Sequence, residues 1–294
     1  MYGAVFPTSE IGNDPIAIRD FAQSAEDLGY SHITIYDHIL GATHEFRDPP
    51  LPLLYTDRDA FHEPFVLFGF LSAVTTKIIL STGVLVLPQR QTALVAKQAA
   101  EIDILSGERL RLGVGTGWNY VEYQALGVPF AYRGKRLEEQ VHLLRKLWQD
   151  PLIDFTGEYH RVDRASIAPR PNRQIPIWFG GYSTSALRRA ARIGDGFIFG
   201  NSDQKIVAKA DELRLMLEAE GRTVDKFPME VIVPFTKGPK GWASDRDIWA
   251  DNGGTHFSMR AMSTGAEFLG QPRTNFETPA EHIKALETFI TAIT

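Results

Sequence analysis

The sequence predicts an α/β protein with the (β/α)8 TIM-barrel fold, forming a single domain over residues 1–294. Apolar, β-branched runs alternate with amphipathic helical segments along the chain, and eight such runs can be counted. The length of 294 residues suits a barrel of ~250 residues with insertions. Strict alternation of strand and helix favours this closed barrel over an open sheet.

The predicted strands are short apolar runs bounded by turn residues. The first begins two residues after the initiating methionine, and the last follows a Gly-Gly pair. The strands are expected at Gly3 to Phe6, Ser31 to Tyr36, Ile78 to Leu87, Arg109 to Val114, Ile177 to Phe179, Phe197 to Phe199, Met229 to Phe235 and Thr255 to Met259.

The predicted helices lie between these strands. In the first helix, Asp14 is the expected N-cap, Pro15 occupies the first helical position and Gly29 ends the apolar repeat. The same periodicity predicts the remaining helices at residues 64–75, 92–105, 132–148, 183–193, 204–219 and 279–292.

Two stretches are longer than an ordinary connection of ~2 to 6 residues. They are Ile39 to Glu63, after strand 2, and Lys237 to Gly254, before strand 8. We expect both insertions at or near the C-terminal mouth of the barrel. A shorter insertion at residues 153–161 predicts a small hairpin, because a Gly-Glu pair separates two apolar-aromatic segments.

Composition excludes several classes of function. The net charge of -5 without a basic block argues against nucleic acid or an anionic membrane as a partner. The absence of cysteine excludes disulfides, thiolate metal sites and thiol nucleophiles. No zinc or serine-hydrolase motif occurs, and we expect no metal. Without a long apolar run or a basic leader, a soluble cytoplasmic protein is predicted.

The segment RLGVGTGWN places Gly113, Gly115 and Gly117 directly after a predicted strand. The spacing is G-x-G-x-G rather than the G-x-G-x-x-G of dinucleotide-binding sites, and no strand ending in an acid follows. Two interpretations stay open. The glycines either allow a planar ligand to approach the backbone or simply form a tight turn at the barrel rim.

The segment PIWFGGYSTSALRRAARIGDG predicts a strand, a Gly180-Gly181 turn and an amphipathic helix. Tyr182, Ser183 and Thr184 open that helix, whose N-terminus offers free N–H groups and small hydroxyl side chains. Such a position in the later loops of a barrel suits a phosphate group. The alternative is ordinary N-capping by Ser183.

A family resemblance follows from the run STGVLVLPQRQTALVAKQAAEIDILSGERLRLGVGTGWNYVEYQALGVPF, at residues 81–130, and from PIWFGG and ALRRAARIGDGF further on. These segments resemble the luciferase-like monooxygenase superfamily, and within it the actinobacterial oxidoreductases that use the deazaflavin coenzyme F420. The likeness covers nearly the whole chain and weakens after about residue 236. It implies a (β/α)8 barrel, in agreement with the strand count.

The resemblance implies where a cofactor would bind. Its phosphate would be held by Gly180, Gly181, Tyr182 and Ser183. A non-proline cis peptide near Thr82, Gly83 and Val84 would support the isoalloxazine ring, and Thr116 and Gly117 would lie beside that ring. The implied cofactor is coenzyme F420, with FMN as the alternative.

The resemblance also assigns a role to the segment HITIYDHIL, in which a predicted strand ends in Asp37-His38. In the related deazaflavin enzymes such a pair faces the ring, so Asp37 and His38 are expected near the cofactor. His38 is the expected catalytic residue, because an imidazole with a pKa near ~6.5 can exchange the proton that accompanies hydride transfer to a carbonyl-type carbon. The alternative is a rim histidine bonded to the backbone.

One difference from the family's sequence pattern affects which substrate is expected. The related sugar-phosphate dehydrogenases carry a glutamate directly after the Gly-Thr-Gly turn, where this sequence has Trp118. Tyr36, Phe46, Tyr55 and Trp118 instead suggest an apolar or aromatic substrate wall, although each could be a core residue. Further candidates for substrate contacts lie on the last strand, at His256 and Arg260.

The expected activity is hydride transfer between coenzyme F420 and an unidentified small organic substrate at the barrel mouth. Reduced deazaflavin reacts poorly with oxygen, which favours this activity over oxygenation. An FMN-dependent monooxygenase fed by a separate reductase and a non-catalytic flavin or deazaflavin carrier are the alternatives. The resemblance also implies a homodimer and a partner reductase that regenerates the reduced cofactor.

Overall fold

Eight parallel strands close into a barrel in the computed structural model, which describes residues 1–294 except for the side chain of Gln204. The third barrel strand is made of two short pieces, β3 and β4. The strands are β1 Tyr2–Val5, β2 His32–Ile35, β3 Ile79–Thr82, β4 Leu85–Val86, β5 Leu110–Gly115, β6 Ile153–Thr156, β7 Arg161–Ala165, β8 Ile177–Gly180, β9 Gly196–Phe199, β10 Met229–Pro234 and β11 His256–Arg260.

Parallel pairing runs around the barrel in the order β3, β2, β1, β11, β10, β9, β8, β5. The ring closes between β5 and β3, where Leu80 pairs with Leu110. This closed parallel barrel confirms the predicted fold class. β6 and β7 stand outside it as an antiparallel hairpin, as predicted, with Phe155 opposite Val162.

Helices cover the outside of the barrel. The helices are α1 Pro15–Asp27, α2 Pro64–Val74, α3 Thr92–Ser106, α4 Tyr120–Ala125, α5 Arg133–Gln149, α6 Thr184–Ile193, α7 Gln204–Ala219, α8 Gly238–Asp251 and α9 Pro279–Ile293. Asp14 caps α1 as predicted, since its side chain accepts a hydrogen bond of 2.9 Å from the N–H of Ile16. Among the helices that the structure describes, none has the length and apolar character that a bilayer crossing requires.

The predicted insertion before strand 8, Lys237 to Gly254, is corrected by the structure. Most of it is α8, the barrel helix between β10 and β11. Trp242 and Trp249 anchor this helix in the core, and their seven-residue spacing places both side chains on one face. Glycines and a proline stand near its start, and most residues between the two tryptophans are polar, so the sequence shows no clear apolar stripe. The second long loop instead follows β11, at residues 261–278.

The barrel interior has a polar layer towards the amino-terminal ends of its strands. Buried Glu230 lies 2.8 Å from the Arg111 guanidinium, 2.9 Å from His32 Nε2 and 2.6 Å from the Ser258 hydroxyl. These residues come from β10, β5, β2 and β11, so the cluster joins strands across the barrel. It leaves the carboxyl ends of the strands free to form a cavity.

Candidate functional site

A cavity of about 380 Å³ opens at the carboxyl ends of the barrel strands. It is bordered by residues at or just after the ends of β2, β3, β5, β8, β9 and β11, and by parts of the loops 39–63 and 261–278. The predicted insertion after strand 2 therefore contributes to the mouth. Active sites of this fold lie at the same end of the barrel.

The floor of the cavity lies where β3 gives way to β4. The peptide bond between Gly83 and Val84 is cis, inside the segment expected to carry such a bond. The Val84 side chain fits between Gly115 and Gly180, and a Cβ added to either glycine would overlap it. The floor therefore consists of one aliphatic side chain and bare backbone.

The G-x-G-x-G pattern follows from packing of β5 against the third barrel strand. A Cβ on Gly113 would overlap the carbonyl oxygen of Thr82, and one on Gly117 would lie 2.6 Å from Cγ1 of Val86. Gly117 also has φ +60°, a conformation that favours glycine. Gly115 and Gly117 border the cavity as well, so the approach of a planar ligand stays a prediction beside the packing role. Thr82 lies beneath the lining, where its hydroxyl donates a 2.7 Å hydrogen bond to the Gly113 carbonyl.

His38 lies on the cavity wall just after β2, with 15% of its side chain exposed. Its Nδ1 is 2.7 Å from the Tyr55 hydroxyl and 3.4 Å from the Glu122 carboxylate. The rings of Phe61 and Trp118 surround the imidazole, with centroids 5.0 and 5.8 Å away. In the part of the chain that the structure describes, Nε2 has no hydrogen-bond partner, so this nitrogen is available to a ligand.

Asn119 fixes the direction of the Tyr55 hydroxyl. Its Nδ2 donates a 2.9 Å hydrogen bond to the Tyr55 oxygen, which leaves the hydroxyl proton to His38 Nδ1. Burial raises the pKa of Tyr55, so the proton stays in place at neutral pH. The network therefore assigns to neutral His38 a proton on Nε2. In the imidazolium, Nδ1 also carries a proton, and the Glu122 carboxylate can accept a hydrogen bond from this N–H.

Glu122 was not singled out in the sequence, although it belongs to the site. It is buried in the first turn of α4, and Oε1 accepts hydrogen bonds from the N–H groups of Ile39 at 2.7 Å and Leu40 at 3.2 Å. These bonds hold the chain directly after His38. Position 118 lacks a carboxylate, but Glu122 places one beside His38. The Asn119 N-cap followed by an acid in the first helical turn was the available signal.

Asp37 is directed away from the cavity. It is 2% exposed, and its carboxylate accepts a 2.8 Å hydrogen bond from the Val86 N–H and a 2.7 Å hydrogen bond from the Arg90 guanidinium. The expected cofactor contact is therefore corrected. Asp37 holds β4 and Arg90 in place, and in this way it supports the floor of the cavity.

The Gly180-Gly181 turn leads into the N-terminus of α6 at the cavity mouth. Gly181 has φ +141°, a conformation that L side chains rarely adopt. Ser183 is the N-cap, since its hydroxyl accepts a 3.2 Å hydrogen bond from the Ala186 N–H. Gly180, Gly181 and Tyr182 line the cavity, whereas Ser183 is exposed beside it. Ordinary capping and an anion site at the helix N-terminus are both compatible with this geometry.

The remaining wall combines polar and apolar side chains. Tyr36, Tyr182 and Arg260 supply hydroxyl and guanidinium groups. Most of the other lining is apolar, including Leu54, Tyr55, Phe61, Trp118, Ile198, Met262, Phe268 and Leu269. The expectation for Phe46 is corrected, because this side chain is fully exposed and lies outside the lining.

His256 lies at the opposite end of the barrel from the cavity. It begins β11, and its Nδ1 is 2.8 Å from the Thr255 hydroxyl. Burial lowers the pKa of His256 to about 3, so the ring is neutral near pH 7. The expected substrate contact is therefore corrected: parallel strands place only their carboxyl ends at the mouth, and Arg260 occupies that end of β11. Across the residues that the structure describes, no cluster of His, Asp and Glu could hold a metal ion.

Several proteins are similar to this chain. An uncharacterized protein of Mycobacterium tuberculosis is 37% identical over an alignment of 251 residues that covers 74% of this chain and 86% of that relative. The F420-dependent glucose-6-phosphate dehydrogenase of Nakamurella multipartita is 31% identical over 245 residues, covering 80% of this chain and 68% of the relative. The pyrimidine monooxygenase of Acinetobacter baylyi is 33% identical over 58% of this chain and 48% of that relative.

Solved structures confirm the fold. An F420-dependent secondary alcohol dehydrogenase in complex with an F420-acetone adduct matches with a TM-score of 0.75 at 16% identity, over 100% of this chain and 99% of that chain. The family model for luciferase-like monooxygenases matches residues 4–239. The match covers most of the barrel, including every strand that borders the cavity except β11. The chain therefore belongs to the luciferase-like monooxygenase family.

Proposed function

We propose that this protein is an oxidoreductase that exchanges a hydride between coenzyme F420 and a small organic substrate in the mouth cavity. Relatives that are 30–31% identical over 80% of the chain are F420-dependent glucose-6-phosphate dehydrogenases. The pyrimidine monooxygenase relatives match only 58% of it. This difference in coverage supports F420 rather than FMN as the cofactor.

The observation that carries the proposal is the position of His38. Its Nδ1 is held by Tyr55 at 2.7 Å, and its Nε2 is available at the cavity wall. A histidine held at one nitrogen and available at the other can give or take a proton at a defined place. Hydride transfer to a carbonyl carbon needs such a proton at the oxygen.

The residues of the floor fit a flavin-like ring system. Gly83, Val84, Gly115 and Gly117 present one aliphatic side chain and bare backbone, against which a planar ring can lie, and Thr116 borders the same space. When bound, F420 supplies the carbon that carries the hydride.

The mouth offers a place for the phosphate of the cofactor. Gly180, Gly181, Tyr182 and Ser183 lead into α6, a helix of ten residues whose N-terminal N–H groups favour an anion. Gly180 borders the floor and Ser183 lies at the rim, so one ligand can extend from one to the other.

His38, Tyr55 and Glu122 together provide the proton chemistry. In its imidazolium form, His38 would donate its Nε2 proton to the oxygen of a carbonyl that receives the hydride, and the neutral ring that remains, with its proton on Nδ1, would accept a proton at Nε2 in the reverse direction. Glu122, 3.4 Å from Nδ1, stabilises the imidazolium by accepting a hydrogen bond from the Nδ1–H, whereas the Tyr55 hydroxyl donates to Nδ1 of the resting neutral ring. Packing by aromatic rings keeps water from this side of the imidazole.

The composition of the cavity wall indicates which kind of substrate can bind. Trp118 stands where the sugar-phosphate dehydrogenases carry a glutamate, and its neighbours Tyr55 and Phe61 add further aromatic surface. Such a wall supports a substrate with an apolar body better than a sugar, whose hydroxyl groups require hydrogen-bond partners.

Fluorescence titration with F420 and, in parallel, with FMN tests the proposal. We expect micromolar affinity for F420 and FMN binding at least about tenfold weaker, followed by exchange of hydride with members of an alcohol and aldehyde panel. Preference for FMN with oxygen-dependent turnover would instead identify a monooxygenase. Tight F420 binding without exchange on any substrate would identify a carrier.

The assembly and its partners remain predictions. A homodimer and a separate reductase for regenerating the reduced cofactor are proposed from the family resemblance. A single domain over residues 1–294 is proposed from the alternation of strands and helices, and a cytoplasmic location from the composition. Sedimentation of the purified holoprotein tests the dimer directly, since a monomer has a mass of 32.9 kDa.

A further inference from the structure

Arg260 is a buried cation without an acidic partner. It lies at the carboxyl end of β11, is 6% exposed and borders the cavity. Its guanidinium contacts the side-chain oxygen of Gln271, a neutral amide. Among the residues that the structure describes, no carboxylate forms an ion pair with it. A Cβ added to Gly265, another lining residue, would lie 4.0 Å from Nη1, so this end of the guanidinium borders the same space.

Three other arginines with little exposure are each held by a carboxylate or by several oxygen acceptors. Arg111 is paired with Glu230 at 2.8 Å, and Arg90 with Asp37 at 2.7 Å. Arg109 donates to backbone carbonyls of neighbouring residues and to a threonine hydroxyl. Burying a guanidinium is costly unless its charge and its donors are satisfied. Arg260 has a hydrogen-bond acceptor in Gln271, but no partner of opposite charge within the described chain.

The cavity residues near Arg260 offer hydrogen-bond donors and carry no negative charge. Tyr36 and Tyr182 line the same wall, and both phenols are close enough to feel the charge of Arg260. Burial raises the pKa of Tyr36, and it raises the pKa of Tyr182 to about 12. Although the Tyr182 side chain is 55% exposed overall, its hydroxyl end lies against Gly200. Both hydroxyls therefore keep their protons at neutral pH and can donate hydrogen bonds.

We propose that Arg260 is an anion-binding subsite for the substrate, which carries a carboxylate on an apolar body. The planar guanidinium matches a carboxylate, and the aromatic wall around Trp118 and Phe61 matches the rest of such a molecule. This assignment rests on the proposed function, which places the substrate in this cavity. It narrows the substrate class to apolar carboxylic acids that also bear an alcohol or carbonyl group.

Ligand-observed NMR titration of the F420-loaded protein with benzoate and with benzamide tests the subsite. The two probes share a ring and differ in charge. We expect benzoate to bind at least about tenfold more tightly, and Arg260→Met to reduce this preference to less than about threefold. Arg260→Lys should retain part of it, because charge remains without the planar fork. Arg161→Met removes one positive charge from the exposed hairpin and should leave the preference unchanged.

Two results would overturn the subsite. One is an equal affinity of the wild-type protein for both probes, and the other is an undiminished benzoate preference in Arg260→Met. F420 titration of the same variants shows whether the anion that Arg260 binds belongs to the substrate or to the cofactor. A tenfold loss of F420 affinity in Arg260→Met with an intact benzoate preference would assign Arg260 to the cofactor and reject the proposal. If the wild-type protein kept the benzoate preference without binding F420, the proposed function would fail and the subsite would stand.

Discussion

Tyr55 and His38 meet through a 2.7 Å contact between the phenol oxygen and Nδ1, and their ring centroids are 3.9 Å apart. Tyr55 is itself held by the side chain of Asn119 at 2.9 Å and packs against Phe61. Through Asn119 and Tyr55, the start of α4 therefore fixes the position of His38. His38 has one nitrogen committed to the protein and one directed to ligands.

Replacing His38 with alanine should remove the proton donor and leave the cavity floor intact. We expect turnover on any substrate that a screen identifies to fall by about 10² to 10⁴, the usual contribution of general acid-base catalysis. The F420 dissociation constant should change by less than about threefold, because the floor and the α6 N-terminus are unaltered. Undiminished turnover would show that His38 is a rim residue without a catalytic role.

Tyr55→Phe keeps the ring and removes only the hydroxyl that reaches Nδ1. We expect kcat to fall about tenfold with KM little changed, and the pH profile of kcat to shift, because the hydroxyl stabilises one protonation state of His38. Tyr120→Phe is the matched control, since that hydroxyl donates to the carbonyl of Pro49 in the same mouth loop at 3.0 Å. A change in KM alone would make Tyr55 a substrate contact.

The barrel could be predicted because its strands are apolar runs in strict alternation with helices. β3 and β4 occupy a single predicted strand, which is divided at Gly83 and Val84, the segment where the family resemblance implies a cis peptide. The prediction was wrong at α8, where two tryptophans seven residues apart carry the buried face among polar residues. Hydrophobic periodicity is a weak signal when so few large side chains anchor a helix.

The site could be predicted only in part. His38 and the glycines stand in recognisable motifs, whereas Glu122 is 84 residues from His38 in the chain and meets it only after the barrel closes. Asp37 was misassigned because adjacent residues at the end of a strand point to opposite sides. His38 therefore faces the cavity, while Asp37 faces β4.

Gly180→Ala should damage the cavity floor, because the added methyl would lie 2.6 Å from Cγ1 of Val84. Val84, which lines the cavity against which the ring would lie, must then shift. We expect F420 affinity to fall at least about tenfold, measured by fluorescence titration. Gly69→Ala is the control, because among the described residues no atom lies within 4 Å of its added Cβ and the site is inside α2. It should raise stability by up to about 1 kcal/mol and leave F420 binding unchanged.

The hydrogen bonds of Glu26 connect α1 to the segment before β3, and we predict that acid weakens this connection. Its carboxylate accepts hydrogen bonds from the N–H groups of Thr76 at 3.0 Å, Lys77 at 2.7 Å and Ile78 at 2.8 Å. Burial alone would raise the pKa of Glu26, but these donors lower it from 4.5 to about 2. A folded pKa below the unfolded one contributes stability that is fully present above about pH 4.5 and is lost as the pH falls towards 2.

Chemical denaturation at a series of pH values tests this contribution. Between pH 6 and pH 2 we expect the wild-type free energy of unfolding to decrease by ~2 kcal/mol more than that of Glu26→Gln, after allowance for solvent screening. Glu287→Gln, which alters an exposed pair with Lys284, should follow the wild-type curve. Parallel curves for the wild-type protein and Glu26→Gln would mean that the carboxylate keeps its ordinary pKa, because the difference between the two proteins arises only from its titration.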